Sequence, residues 1–98
     1  MSLTGKQRVH LRGLGHHVKP TVVVGKDGVS DKVVARLHSE LDHHELVKLR
    51  ALDTCETPIF ELARVLAEAT GSEVAGSIGH TALLYRRRAV EPTIVLPA

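Results

Sequence analysis

Val24-Gly25-Lys26-Asp27-Gly28-Val29-Ser30 is the stretch whose residue types and spacing come nearest to a binding device. A β-branched run ends, two glycines bracket a turn, and a helix-capping serine follows. Glycine at such positions reaches positive φ and lets a ligand approach the main chain. The helix beyond Ser30 offers unpaired N–H groups and the positive end of its dipole, which together attract an anion. Lys26 adds a mobile positive charge, whereas Asp27 opposes an anion unless it points away. The same residues also describe an ordinary strand-to-helix turn, and their spacing alone does not decide between the two.

Cationic side chains recur on either side of this turn. Before it, Arg8, Arg12, His16 and Lys19 form one helical stripe, with Lys6, His10 and His17 on the other flank. Arg86-Arg87-Arg88 after Tyr85 is the densest basic run and suits either a phosphate grip or a solvated strand end. Lys48 and Arg50 share a strand face with Leu46 and either extend a basic surface or face water. The turn resembles the GxxG loop by which KH-type modules clamp a nucleic-acid backbone.

Other chemistries find less support. The chain has seven histidines (His10, His16, His17, His38, His43, His44 and His80), but no HxxxH or HExxH spacing. Neighbouring histidines on a helix point about 100° apart, so neither adjacent pair makes a chelate by itself. They read as helix-end caps or weak surface cations. Cys55 lies between Thr54 and Glu56, where the acid works against a reactive thiolate, and it reads as a loop or partly buried thiol. Glu40 with Asp42 and Glu56 with Glu61 read as solvated helix-end charges. No P-loop or dinucleotide fingerprint is present. The sequence therefore predicts no enzyme, no cofactor and no bound metal.

Composition narrows the class further. Ninety-eight residues make one small domain, and 43% apolar residues suffice for one core. Aromatics are only 2%, so Leu, Val and Ala must fill it. No apolar run approaches 18 residues, which excludes a transmembrane helix. With one cysteine there is no internal disulfide framework and no Cys-rich zinc module. No secretory leader is recognisable, and the expected location is the reducing cytoplasm. Net charge is only +2, but it is unevenly spread. Residues 1–50 set nine Lys/Arg against five acids, a net of +4, while residues 51–85 hold one Arg against five acids, a net of −4. This polarity points to an anionic partner for the first half.

The elements that must position these residues can be read from capping and periodicity. Thr4 with Gln7 forms a capping-box pattern that predicts a helix to about His17, its inner face Leu3, Gln7, Leu11, Leu14 and Val18. Gly13 and Gly15 weaken it by about 1 kcal/mol each relative to Ala. Lys19-Pro20 stops the helix, and Thr21–Val24 reads as a buried strand. Ser30 caps a second helix with Val33, Val34, Leu37 and Leu41 inward, closed by His43-His44. Glu45–Leu52 is a second strand, with Val47, Leu49 and Ala51 on one side. Thr57 as cap and Pro58 at the first position open a third helix, which Gly71 ends. Strands at about Glu73–Ile78 and Thr81–Arg86 form a hairpin around Gly79-His80.

The order α-β-α-β-α-β-β predicts a small α/β domain with a mixed four-stranded sheet. Residues 1–88 form the domain, and 89–98 a short C-terminal extension, partly laid along the body or frayed.

Taken together, several blocks resemble the CRM domain (chloroplast RNA splicing and ribosome maturation), particularly its free-standing bacterial YhbY-like members. These are Leu3-Thr4-Gly5-Lys6-Gln7-Arg8, Leu11-Arg12-Gly13-Leu14, and Lys19-Pro20 followed by Val22-Val23-Val24-Gly25-Lys26-Asp27-Gly28. His43-His44-Glu45-Leu46-Val47-Lys48-Leu49-Arg50 and Ile78-Gly79-His80-Thr81-Ala82-Leu83-Leu84-Tyr85-Arg86 complete the match, over roughly residues 3–88. His80 stands where lysine is also acceptable in the family, and Gly15 where alanine is common.

The resemblance implies a fold related to the C-terminal domain of translation initiation factor 3. It also implies RNA binding and association with precursors of the large ribosomal subunit. Gly25, Lys26, Asp27 and Gly28 would then meet the RNA backbone, with Arg8, Arg12, Lys19 and Arg86 in the surrounding basic surface. The expected partner is ribosomal RNA, with ribosomal proteins as further contacts, and neither DNA nor a membrane. Two rival readings are a protein-docking adaptor using Asp53–Glu73 and a histidine-based metal-dependent hydrolase.

Overall fold

The computed structural model describes residues 3–98. Its first helix, α1 (Gly5–Gly15), begins with the reciprocal cap the sequence predicts. Gln7 N donates to Thr4 Oγ1 at 3.1 Å, and Thr4 N donates to Gln7 Oε1 at 3.0 Å. The helix stops at Gly15, two residues before His17. His16, His17 and Val18 N–H groups there donate to carbonyls three residues back, tightening the last turn and ending it.

The remaining elements are β1 (Pro20–Val24), α2 (Asp31–His44), β2 (Leu46–Ala51), α3 (Ile59–Thr70), β3 (Glu73–Ile78) and β4 (Thr81–Tyr85). Ser30 caps α2 by accepting from Val33 N, and Gly71 closes α3 in the left-handed conformation at φ 67°. The N-cap of α3 is Pro58 rather than Thr57, and no side chain caps that helix. Proline's fixed φ suits the entry, and its carbonyl accepts from Leu62 N at 2.9 Å.

The strands form one mixed sheet in the order β1-β2-β4-β3. β1 and β2 are parallel, joined by α2, while β2–β4 and β4–β3 are antiparallel. Alternation along each strand then sorts side chains between two faces. Val22, Val24, Val47, Leu49, Ala82 and Leu84 turn toward α2 and α3 and pack on Leu37, Leu41, Leu62, Ala63 and Leu66. Cys55 packs at the margin of this cluster. Full burial of each such Leu or Val contributes roughly 1.5–3 kcal/mol. On the opposite face, Leu3 and Leu11 of the α1 region meet Leu46, Ala75, Leu83 and Tyr85.

Two expectations about burial change. Leu14 is 39% exposed, and Gly15 takes the inward place, where the Leu83 side chain fills the space a Cβ would occupy. A Cβ on Gly15 would lie 2.4 Å from Leu83 Cδ1. Val23 is 49% exposed, since β1 is an edge strand and α1 covers β3 and β2 instead.

Glu45 is not a strand residue. It caps α2 at φ 60°, fully buried, and lets the chain turn abruptly into β2. Its carboxylate gathers the C-terminal segment: Arg88 N reaches Oε2 at 2.9 Å, and Thr93 N, Thr93 Oγ1 and Ile94 N reach Oε1 at 2.6, 2.8 and 2.9 Å. Ile94 and Leu96 then pack against the α1-side cluster, and Gln7 Nε2 donates to Pro97 O.

Candidate functional site

The Gly25–Gly28 loop begins where β1 leaves the sheet. Leu52 N donates to Val24 O at 2.8 Å, so the loop starts alongside the exit of β2. Gly28 N donates to Gly25 O at 3.0 Å, closing a four-residue turn, and Gly28 sits at φ 61°. A Cβ on Gly28 would meet nothing, so backbone conformation rather than crowding calls for glycine here. Lys26 and Asp27 are exposed, and their amides have no hydrogen-bond partner among the described residues. The first turn of α2 follows directly, although its own Asp31 already answers part of the helix dipole.

Behind the loop, the α1 face of the sheet carries two rows of side chains. Arg50 pairs in register with Val23 on one side and Thr81 on the other, and Thr81 with Ile78. The next row runs Lys48, Leu83, Gly76. Arg12 lies across Gly76, where a Cβ would come within 2.8 Å of its Cδ. Arg12, His16 and Lys48 thus border one cleft. Arg8 is exposed one turn earlier on α1, and Lys19 is exposed just before β1. Among the described residues, Arg8, Arg12, Lys19, Lys26, Lys48 and Arg50 have no acidic side chain within 4.0 Å.

Arg86 is placed differently. Its guanidinium donates to Thr70 O at 2.6 Å, His38 O at 3.2 Å and Asp42 Oδ1 at 2.7 Å, and meets His38 Nδ1 at 2.9 Å. It ties α2 to the end of α3, so its charge is spent inside the fold. Asp42, read from sequence as a solvated charge, is its ion-pair partner. Arg88 is also committed, donating to His43 O and Glu91 O. The basic run after Tyr85 therefore acts largely as internal fastening, with Arg87 alone exposed.

Glu45 is the residue that sequence reasoning undervalued. Burial would raise its pKa, but the N–H groups of Arg88, Ile94 and Thr93 and the Thr93 hydroxyl overcome this and hold it near 2 rather than 4.5. Tyr85 is pushed upward by burial and by the nearby Glu45 charge, with Arg87 opposing. The only local signal for Glu45 was a charged residue between a helix and an apolar strand. Its partners lie more than 40 residues away.

Helix α3 on the opposite side of the sheet is acidic. Glu61 and Glu68 are exposed on α3, with Arg64 paired to Glu68 at 3.5 Å. Among the described residues, no three His, Cys, Asp or Glu side chains converge to hold a metal ion. His43 bonds Ser39 O within α2, and His38 bonds Arg86 across the fold.

An α/β domain with a glycine-bracketed loop beside an unneutralised cationic sheet face is the class these features define. The CRS1/YhbY (CRM) domain matches residues 3–86, and the chain belongs to that family. The probable RNA-binding protein YqeI of Bacillus subtilis is 36% identical over 95 residues, covering 97% of this chain and 99% of that protein. An RNA-binding protein of Haemophilus influenzae is 35% identical over 86 residues, covering 87% and 86%. The solution structure of the hypothetical protein SAV1595 from Staphylococcus aureus matches with TM-score 0.84 at 35% identity, covering 98% of this chain and all of that one.

Proposed function

We propose that this chain is a non-catalytic RNA-binding domain that grips the RNA backbone through Gly25–Gly28 and the cationic face beside it. The observation that carries this reading is the set of exposed or half-buried cations (Arg8, Arg12, Lys19, Lys26, Lys48 and Arg50) left without acidic partners. Unpaired positive charge around a cleft concentrates a polyanion. The names of the relatives support RNA as that polyanion. The setting we propose is maturation of the large ribosomal subunit, as the family resemblance implies.

Recognition rests on phosphates and shape. Tyr85 is buried and Phe60, 69% exposed, belongs to α3 on the far face, so no aromatic platform serves the cationic side. Arg86 is left out of the proposed interface, because both of its terminal nitrogens are engaged within the fold.

The test is binding of large-subunit ribosomal RNA fragments across a salt series, comparing wild type with a Lys26→Ala, Gly28→Asp variant whose fold is checked by circular dichroism. Affinity should fall with salt, log K dropping about 0.7–0.9 for each phosphate neutralised, and the variant should lose most of it. Absence of binding at low salt would refute the reading. It would favour a protein-docking role for α3, where exposed Phe60 stands beside Glu61.

A further inference from the structure

A cleft of about 320 Å³ opens between α1 and the β3–β4 hairpin. Its size falls at the lower end of ligand sites, roughly 300–1,000 Å³. Leu83 lines its inner part, Ile78 stands at its rim 82% exposed, and Arg12, His16 and Lys48 border it. The opening exists because of a glycine. Gly76 leaves room for Arg12 to lie flat along β3, since a Cβ there would sit 2.8 Å from Arg12 Cδ. Neither Arg12 nor Lys48 has an acidic partner among the described residues.

We infer that this cleft receives one unpaired nucleotide of an RNA strand, its phosphate between Arg12 and Lys48 and its base against Leu83 and Ile78. The inference rests on the RNA-binding reading above and adds a discrete pocket to it. Two features favour a nucleotide over a phosphate alone. The apolar lining offers nothing to a bare anion but removes a base face from water. Thr81 stands at the edge, and its hydroxyl, which donates to Ile78 O at 2.9 Å, keeps lone pairs free. That oxygen can accept from an exocyclic amine or ring N–H. The base would lie flat on aliphatic side chains, so the pocket tolerates different bases.

The experiment uses the full chain with methyl-labelled Leu and Ile, titrated with a uridine hexanucleotide and separately with uridine monophosphate. The hexanucleotide should shift the Leu83 and Ile78 methyl resonances. Gly76→Ala, which pushes Arg12 aside, should weaken it by about three- to tenfold, as expected for loss of one charged contact. Gly13→Ala, whose methyl enters open space on the same helix, should bind as wild type does. Should Gly76→Ala fail to fold, Ile78→Ala supplies the same reading, because that side chain is exposed and outside the core.

Unchanged binding by Gly76→Ala and Ile78→Ala, with Lys26→Ala weakened, would overturn the pocket while leaving the RNA reading in place. Uridine monophosphate binding as tightly as the hexanucleotide would overturn it in favour of a free nucleotide. No hexanucleotide or ribosomal RNA binding by any of the proteins at low salt would remove both proposals.

Discussion

Glu45 and Thr93, 48 residues apart in sequence, meet through two hydrogen bonds to one carboxylate oxygen, from Thr93 N at 2.6 Å and Thr93 Oγ1 at 2.8 Å. This buried anion holds the C-terminal segment against the α1 side of the sheet, in the layer that carries the cationic face. It is also the strongest pH-linked feature of the molecule. With a folded pKa near 2 against 4.5, the native state binds fewer protons than the unfolded chain between those values. The stabilisation is complete above about pH 4.5 and is lost as pH falls through 2. A shift of that size corresponds to about 3 kcal/mol. Chemical denaturation from pH 6 down to pH 2 should show this loss in wild type and little of it in Glu45→Gln, which starts less stable.

Thr93→Val removes one donor to the carboxylate but keeps the backbone bond. The cost should be about 1.5–3 kcal/mol, the usual worth of a hydrogen bond to a charged group. Limited proteolysis should then cut the C-terminal segment faster, while the rest of the chain stays resistant.

Arg86→Ala separates a fastening role from a binding role. It leaves the partly buried carbonyls of Thr70 and His38 without their donor, while Asp42, 72% exposed, returns to water, so stability should drop by about 1–3 kcal/mol. RNA affinity of the molecules still folded should stay within about twofold of wild type. Arg86→Lys should recover little, because an ammonium cannot reproduce the fork that spans His38, Thr70 and Asp42. Reduced affinity at unchanged melting temperature would return Arg86 to the interface.

Lys26→Ala is expected to leave the melting temperature nearly unchanged, since the side chain is exposed and unpartnered. Affinity should fall by a similar factor for unrelated RNA sequences, and the salt slope should shrink by about one contact. A loss confined to one sequence would mean a base contact instead.

Two glycines two positions apart on α1 should respond in opposite ways. Gly13→Ala adds a methyl into open space and gains up to about 1 kcal/mol of helix propensity. Gly15→Ala drives a methyl into Leu83 and should be less stable than Gly13→Ala by about 1–3 kcal/mol. Paired thermal melts of the two variants decide it.

The order and type of the elements were legible because they depend on short-range rules. The Thr4–Gln7 cap, the break at Pro20, the alternation along Leu46–Ala51 and the left-handed Gly71 each act within a few residues of chain. The Gly25–Gly28 turn was legible for the same reason, and Gly28 does adopt positive φ. Errors gathered where neighbours in space matter. Leu14 and Val23 have the right periodicity for burial, yet one is displaced by the close approach at Gly15 and the other lies on an edge strand.

Sequence alone thus determined the elements, their connectivity and the loop that offers its backbone, because backbone preference and hydrophobic period are local properties. The tertiary structure decided which charges remain available. Arg86 and Arg88 looked as free as Arg12 and Lys48 along the chain, but folding spends the first two on carbonyls and a carboxylate and leaves the others uncovered. Glu45 passed for a strand residue until the chain brought Arg88, Thr93 and Ile94 to it. The energy of a charge depends on its burial and its partners, and those are set only when distant segments meet.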